Sequence, residues 1–143
     1  PEQIHYLQAL DHLSPTHVYG VTFERGTAII YGDRRHLLLS GTASIDRNGD
    51  IVHPGNVIKQ LDRTLENMAA LLADGGGDLD HMTHMLIYLR DGADCTMVTD
   101  AFRSLYPEVP CLVLRAPVCR PGWLIELEGT AIIRETNPQF APF

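Results

Sequence analysis

The segment from Asn56 to Gly77 constrains the fold more than any other. Its apolar residues fall at Val57, Leu61, Leu65, Met68 and Leu72, a spacing that lays one stripe along a helix. Asn56 stands where a side chain can cap the first turn, and Gly75-Gly76-Gly77 closes the segment as helix ends favour. Lys59, Asp62, Arg63, Glu66 and Asn67 take the other faces. A second helical segment, Cys95 to Leu105, sets Val98, Ala101, Phe102 and Leu105 on one side, with Asp94 as its cap and Pro107 and Pro110 closing the unit. The rest of the chain reads as strand and turn. Two helices can cover only one face of a sheet, so the other face must be solvated or buried by another subunit.

The strands are predicted as follows. Val18–Phe23 and Thr27–Tyr31 form a hairpin through Glu24-Arg25-Gly26, and Leu37–Ile45 is a more apolar strand. Gly41 within it marks a bulge or a close backbone approach, and Asp46-Arg47-Asn48-Gly49-Asp50 is a turn. His81–Arg90 is apolar on both faces near its C-terminal half and so runs through the sheet interior, while Cys111–Ala116 and Leu124–Arg134 finish the fold. In the last strand Ile125, Leu127, Ala131 and Ile133 point one way and Leu124, Glu126, Glu128 and Thr130 the other. The expectation is an α/β fold, one mixed sheet with two helices on one face. Residues 1–17 read as an N-terminal arm outside the core, 18–134 as the domain and 135–143 as a C-terminal tail. Large apolar residues of both parities in Leu37–Ser40 and Met85–Leu89 predict association through the uncovered face.

Composition narrows the function classes. With 143 residues, 45% of them hydrophobic, the chain can bury one ordinary core. Eleven Lys and Arg against 18 Asp and Glu leave a net charge of −7, which works against nucleic acid or an anionic membrane as partner, since both need clustered basic residues. Three cysteines without a Cys-x-x-Cys pair fit a reduced compartment. No basic-then-apolar leader or membrane-length apolar run is present, so a soluble, cytoplasmic protein is expected. No metal is expected: His81 and His84, three apart, point to opposite faces of a strand, and no His-Glu-x-x-His accompanies them. Nor is a cofactor, because there is no Gly-x-Gly-x-x-Gly or Walker loop.

The residues that can carry chemistry lie near the last strand. Glu126 and Glu128 share one strand face, and like charges that close raise each other's proton affinity. They are either an acid/base pair or a solvated polar face shared with Thr130. Just upstream stands Cys119-Arg120-Pro121-Gly122-Trp123, with the sole Trp of the chain. Arg120 can clamp a substrate carboxylate or pair with a nearby acid as an ordinary loop Arg. Cys119 is either a nucleophile, if an electropositive neighbour lowers its pKa, or a small buried side chain. An aromatic wall, an obligate cation and two carboxylates this near in sequence suit a small-molecule site.

Ser40-Gly41-Thr42 at a strand end, Gln60 with Leu65-Glu66-Asn67 in the first helix, Tyr88-Leu89-Arg90-Asp91 and Ile125-Glu126-Leu127-Glu128 together resemble the Rid family, also called YjgF or L-PSP, over about residues 18 to 133. The resemblance implies a chorismate-mutase-like (YjgF-like) fold, a homotrimer with the sheets facing inward as a barrel, and ligand sites in the clefts between subunits. Deaminating family members hydrolyse enamines and imines, using an Arg to hold the substrate carboxylate and a Glu on the final strand to place water. Glu126 matches that Glu. The Arg does not carry over, since an ungapped count places Cys111 there, and a second-helix Asn falls at Thr99. A nearer likeness joins Arg34-Arg35-His36 through Ile45 with Cys119-Arg120 and Glu126; it is similar to the C-terminal half of chorismatases and hydroxybenzoate synthases, which hydrolyse an enolpyruvyl ether by acid chemistry from the equivalent Glu.

The reading is a trimeric protein that binds a small carboxylate metabolite between subunits. Glu126 is its acid or water-orienting base, and Arg120 or Arg115 is the anion partner. Arg115 shares strand parity with Cys111, displaced by about 13 Å along an extended strand. Cys119, Trp123, Gly41 and Cys111 complete the candidate binding set. The alternatives are a ligand-binding homologue without deaminase chemistry, and an endoribonuclease or translation inhibitor, which the acidic balance opposes.

Overall fold

Six strands and two α-helices form among the described residues, which are 2–19 and 21–143 of this computed structural model. Pro1 and Gly20, which belong to the expected arm and first strand, lie outside the described residues, as does the Tyr19 side chain. In chain order the elements are β1 (Ile4–Tyr6), β2 (Gly26–Ile30), β3 (Arg34–Ala43), α1 (Val57–Asp74), β4 (Met82–Leu89), α2 (Cys95–Leu105), β5 (Cys111–Arg115) and β6 (Ile125–Arg134). They make one sheet of order β1-β2-β3-β6-β4-β5, with β4 and β5 parallel and every other neighbouring pair antiparallel. The α/β fold read from the sequence is therefore the fold found, and β4 runs inside the sheet as its two apolar faces required.

Register explains which side chains become core. Leu37 pairs with Ala131, Ile87 with Leu127 and Leu89 with Ile125, and all six are buried, with α1 packed against β3 and β6. The α1 stripe Val57, Leu61, Leu65, Met68 and Leu72 is buried throughout; each such side chain taken from water contributes about 1.5–3 kcal/mol. Asn56 caps α1 by accepting the Lys59 N–H at 3.0 Å. Gly75 ends the helix where a Cβ would lie 2.7 Å from Leu37 Cδ2, so the close packing of this corner on β3 needs glycine.

Several local expectations are corrected. The described residues of Val18–Phe23 form no strand; Thr16–Tyr19 make a 3₁₀ turn. The neighbours of β2 are β3, and β1 in the register Ile4↔Ile29 and Tyr6↔Thr27. The N-terminal stretch is also not external to the core, since Leu7 and Leu13 are buried in it. Strand propensity depends on a neighbour to pair with, and β1, followed by Leu7, takes the place that β-prone composition assigned to residues 18–23. Asn67 lies on the buried side of α1 instead of the solvent side, because its amide donates to Ala43 O and Ile45 O at 3.0 Å each, at the end of β3. Asp94 makes no side-chain cap to α2; Asp91 caps the preceding 3₁₀ turn through Ala93 N–H, and Leu105 is exposed.

The sheet face away from the helices carries Leu38, Leu112 and Leu114, exposed by 39%, 55% and 37%. Across it run the rows Leu38-Thr130-His84, Glu128-Leu86-Leu112 and Glu126-Tyr88-Leu114. No helix among the described residues is long and apolar enough to cross a membrane.

Candidate functional site

A slip in the ladder between β3 and β6 builds the site. The register shifts between Leu39 and Thr42, so Gly41 falls in the irregular stretch that its presence in a strand foretold. The Glu126 carboxylate packs directly against Gly41: a Cβ there would run into Glu126 Oε1. Glu126 is half-buried. Burial first, and the neighbouring Glu128 charge second, push its carboxyl above the usual carboxylate range. Glu128 itself accepts the Tyr88 hydroxyl at 2.6 Å on the open face.

Residues 118–123 are held by two buried or half-buried polar side chains from other elements. Arg90, just past β4, donates to Trp123 O at 2.8 Å, Val118 O at 2.5 Å and Arg120 O at 2.7 Å. Gln60 of α1, fully buried, donates to Gly122 O and His53 O and accepts the Leu124 N–H. Trp123 is buried with its indole N–H on Ser44 O at 3.1 Å. The Arg120 guanidinium lies 5.1 Å from the Trp123 ring centroid, and its Nη1 donates to Gly49 O at 3.4 Å. Cys119 lines the cavity as an exposed residue, not as the small buried side chain that was one of its two readings. Desolvation and the Glu126 charge push its thiol up, more than Arg120 pulls it down, which argues against use as a nucleophile.

These residues meet around a cavity of about 250 Å³, lined by Gly41, Cys119, Arg120, Trp123 and Glu126. Arg25 and Phe23 complete the wall from the loop before β2. Arg25 is only 8% exposed, donates through Nη2 to Ser14 O at 3.1 Å, and stands 5.8 Å from the Phe23 ring centroid. Sequence reading missed it, treating Glu24-Arg25-Gly26 as a turn; the one local signal was a cation directly before the apolar end of β2.

Arg115 and Cys111 do not line this cavity. Both lie on β5 in rows with Leu89 and Met85, the helix-covered parity, whereas Glu126 shares a row with Tyr88 and Leu114 on the other face. Cys111 is partly buried against the core and Arg115 is exposed. Thr99 is likewise outside the lining. Among the described residues no group of three His, Cys, Asp or Glu could hold a metal. His81 lies in a 3₁₀ turn with its Nδ1 2.7 Å from Asp78 Oδ1, not on β4.

Comparison with known proteins gives the family and the fold. The family model described as Endoribonuclease L-PSP matches residues 27–133. The 3-aminoacrylate deaminase RutC of Acinetobacter baylyi is 32% identical over 95 residues, 65% of this chain and 75% of RutC. The 3-hydroxybenzoate synthase of Streptomyces hygroscopicus is 27% identical over 106 residues, 67% of this chain but 31% of the synthase. A solved chorismatase superposes with a TM-score of 0.80 at 23% identity, covering 92% of this chain and 44% of its own. The chain thus spans less than half the length of these last two relatives. The E. coli TdcF structure with bound serine gives a TM-score of 0.71 at 16% identity, covering 90% of this chain and 98% of TdcF. With a matching family model over most of its length and the same α/β fold in its solved neighbours, the chain belongs to the Endoribonuclease L-PSP family, the YjgF or Rid group.

Proposed function

We propose that this protein is a small-molecule hydrolase whose substrate is a small carboxylate carrying an enamine, imine or enol-ether group. The observation that supports it best is Glu126: a half-buried carboxyl with raised proton affinity, set in a cavity with the aromatic Trp123 and Phe23 and the cations Arg120 and Arg25. A carboxyl that stays protonated nearer to neutral pH is a usable general acid. Glu126 gives its proton to the terminal carbon of the C=C bond, leaving an oxocarbenium or iminium cation. Water adds to that cation and its proton returns to the Glu126 carboxylate. Collapse of the adduct breaks the C–O or C–N bond as Glu126 protonates the leaving oxygen or nitrogen and regains the proton of the adduct hydroxyl, releasing an alcohol or ammonia and leaving a 2-oxo acid. An imine joins the same sequence by taking the Glu126 proton on its nitrogen, which gives the iminium cation that water attacks.

A homotrimer that buries the open sheet face belongs to this reading, and the exposed Leu38, Leu112 and Leu114 support it. The cleft is then completed by a neighbouring copy. Glu126→Gln is expected to lower hydrolysis of chorismate or of a 2-aminoacrylate imine, followed as 2-oxo acid release, by about 100-fold or more. Unchanged turnover overturns the role of Glu126.

A second reading, ligand binding without turnover, is favoured by Cys111, which stands at the position of the family's substrate Arg and packs against the core. A carboxylate bound at Glu126 with no turnover of either substrate class selects it. RNA as substrate gains no support from a chain of net charge −7.

A further inference from the structure

We propose that Arg25 is the anion clamp of the site, holding the substrate carboxylate at the junction of two adjoining cavities while Glu126 meets the reacting bond. This rests on the hydrolase reading for the part played by Glu126 and adds the residue that orients the substrate and the chamber that takes its remainder.

The first argument is position. A second cavity of about 450 Å³, with Leu7, Leu10 and Leu13 in its wall, shares Val21, Phe23 and Arg25 with the 250 Å³ cavity that holds Glu126. Arg25 therefore faces both. Its backbone carbonyl accepts the Ser40 N–H at 3.1 Å, which ties it to the residue preceding Gly41, the one against which the Glu126 carboxylate packs. The irregular stretch of β3 that admits the acid thus also sets the place of the cation.

The second argument is electrostatic. A guanidinium stays charged at any working pH, and a charge 8% exposed interacts with an incoming carboxylate across a poorly screening medium. Its Nη2 is fixed on Ser14 O and its plane lies by Phe23, so the side chain is placed before the ligand arrives and loses little freedom on binding. The other two candidates serve less well. Arg115 is on the opposite sheet face, and Arg120 is less buried than Arg25, so its charge meets a carboxylate through better-screening solvent.

Together these features describe the substrate. A short unsaturated carboxylate fits between Arg25 and Glu126, with the flat walls of Phe23 and Trp123 beside it. The larger chamber beyond Arg25 accommodates a ring-sized substituent, the part that leaves when the bond to the unsaturated carbon breaks.

The test uses binding of cinnamate, a flat carboxylate, against cinnamamide, its uncharged counterpart, by titration calorimetry on the full chain. Cinnamate is expected to bind the native protein about tenfold more tightly than cinnamamide. Arg25→Gln is expected to abolish that preference, with Arg120→Gln weakening cinnamate less and the exposed α2 variant Arg103→Gln leaving it unchanged. Because Arg25→Gln can disturb the buried Ser14 contact, crystals of the native protein soaked in cinnamate give a second measurement: the carboxylate is expected on the Arg25 guanidinium. No cinnamate binding, an unchanged preference in Arg25→Gln, a larger loss in Arg120→Gln, or a carboxylate seated on Arg120 overturns the proposal. If Glu126→Gln leaves turnover intact while Arg25→Gln loses cinnamate, the hydrolase reading falls and the clamp stands. The reverse pair of results removes the clamp and keeps the hydrolase.

Discussion

The carboxylate of Glu126 fills the space that a side chain at Gly41 would need. The acid and the glycine come from adjacent strands at the one place where their ladder slips, so the depth of the acid's burial depends on the missing Cβ across from it.

Gly41→Ala is therefore expected to move the carboxylate without unfolding the chain. Gly41 does not adopt the left-handed backbone, and the atom a Cβ would meet is the mobile end of a side chain. Thermal unfolding should shift by no more than a few degrees, roughly the effect of 1 kcal/mol, while the Glu126 carboxyl, moved toward water, returns toward the ordinary carboxylate range. Carboxyl-carbon NMR across a pH titration reads that return directly, and turnover should fall with it.

Glu126 should also make stability depend on pH in a definite sense. Its folded-state proton affinity is raised by burial and by Glu128, so the native state binds the proton more tightly than the unfolded chain. The contribution is fully present below the ordinary carboxyl range and is lost as pH rises through the raised folded value. Glu126→Gln should then unfold a few degrees above the parent at about pH 7–8, with the difference closing by about pH 4. Thermal melts at a series of pH values check it.

Gln60 ties α1 to the segment that carries Arg120 and Trp123 and to the start of β6. Gln60→Ala leaves the Leu124 N–H and the carbonyls of His53 and Gly122 without this partner in a buried setting. A loss of about 2–4 kcal/mol is expected from urea unfolding, together with a weakened site because that segment is no longer anchored.

The exposed Leu38 lies on the open face beside Thr130 and His84. Placing a charge there should block burial of that face by another copy. Light scattering is expected to give a molar mass near 15.9 kDa for Leu38→Glu and about three times that for the parent. A parent that already scatters as a single chain removes the trimer from the proposed function.

Helix α1 was legible almost to the residue because both its stripe and its caps are local: Asn56, the spacing from Val57 to Leu72, and Gly75 all act within one or two turns. The parity of β6 was equally legible, since alternation needs no neighbour. Where a partner was needed, local reading failed. Residues 18–23 are β-prone, yet β1 takes the edge beside β2, and Asn67 looks like a surface residue until the end of β3 presents two carbonyls to it.

The same division runs through the site. The sequence by itself determined that Glu126, Arg120, Cys119 and Trp123 would be neighbours, because few residues separate them, and that two helices would leave one sheet face uncovered. Strand pairing was needed to bring Arg25 to their cavity, to lay Gly41 against the acid, and to keep Cys111 and Arg115 apart from them. Those relations follow from strand order and from a register slip between β3 and β6. Both are set by which pairing buries the most apolar surface across the whole sheet, and no local stretch of sequence carries that sum.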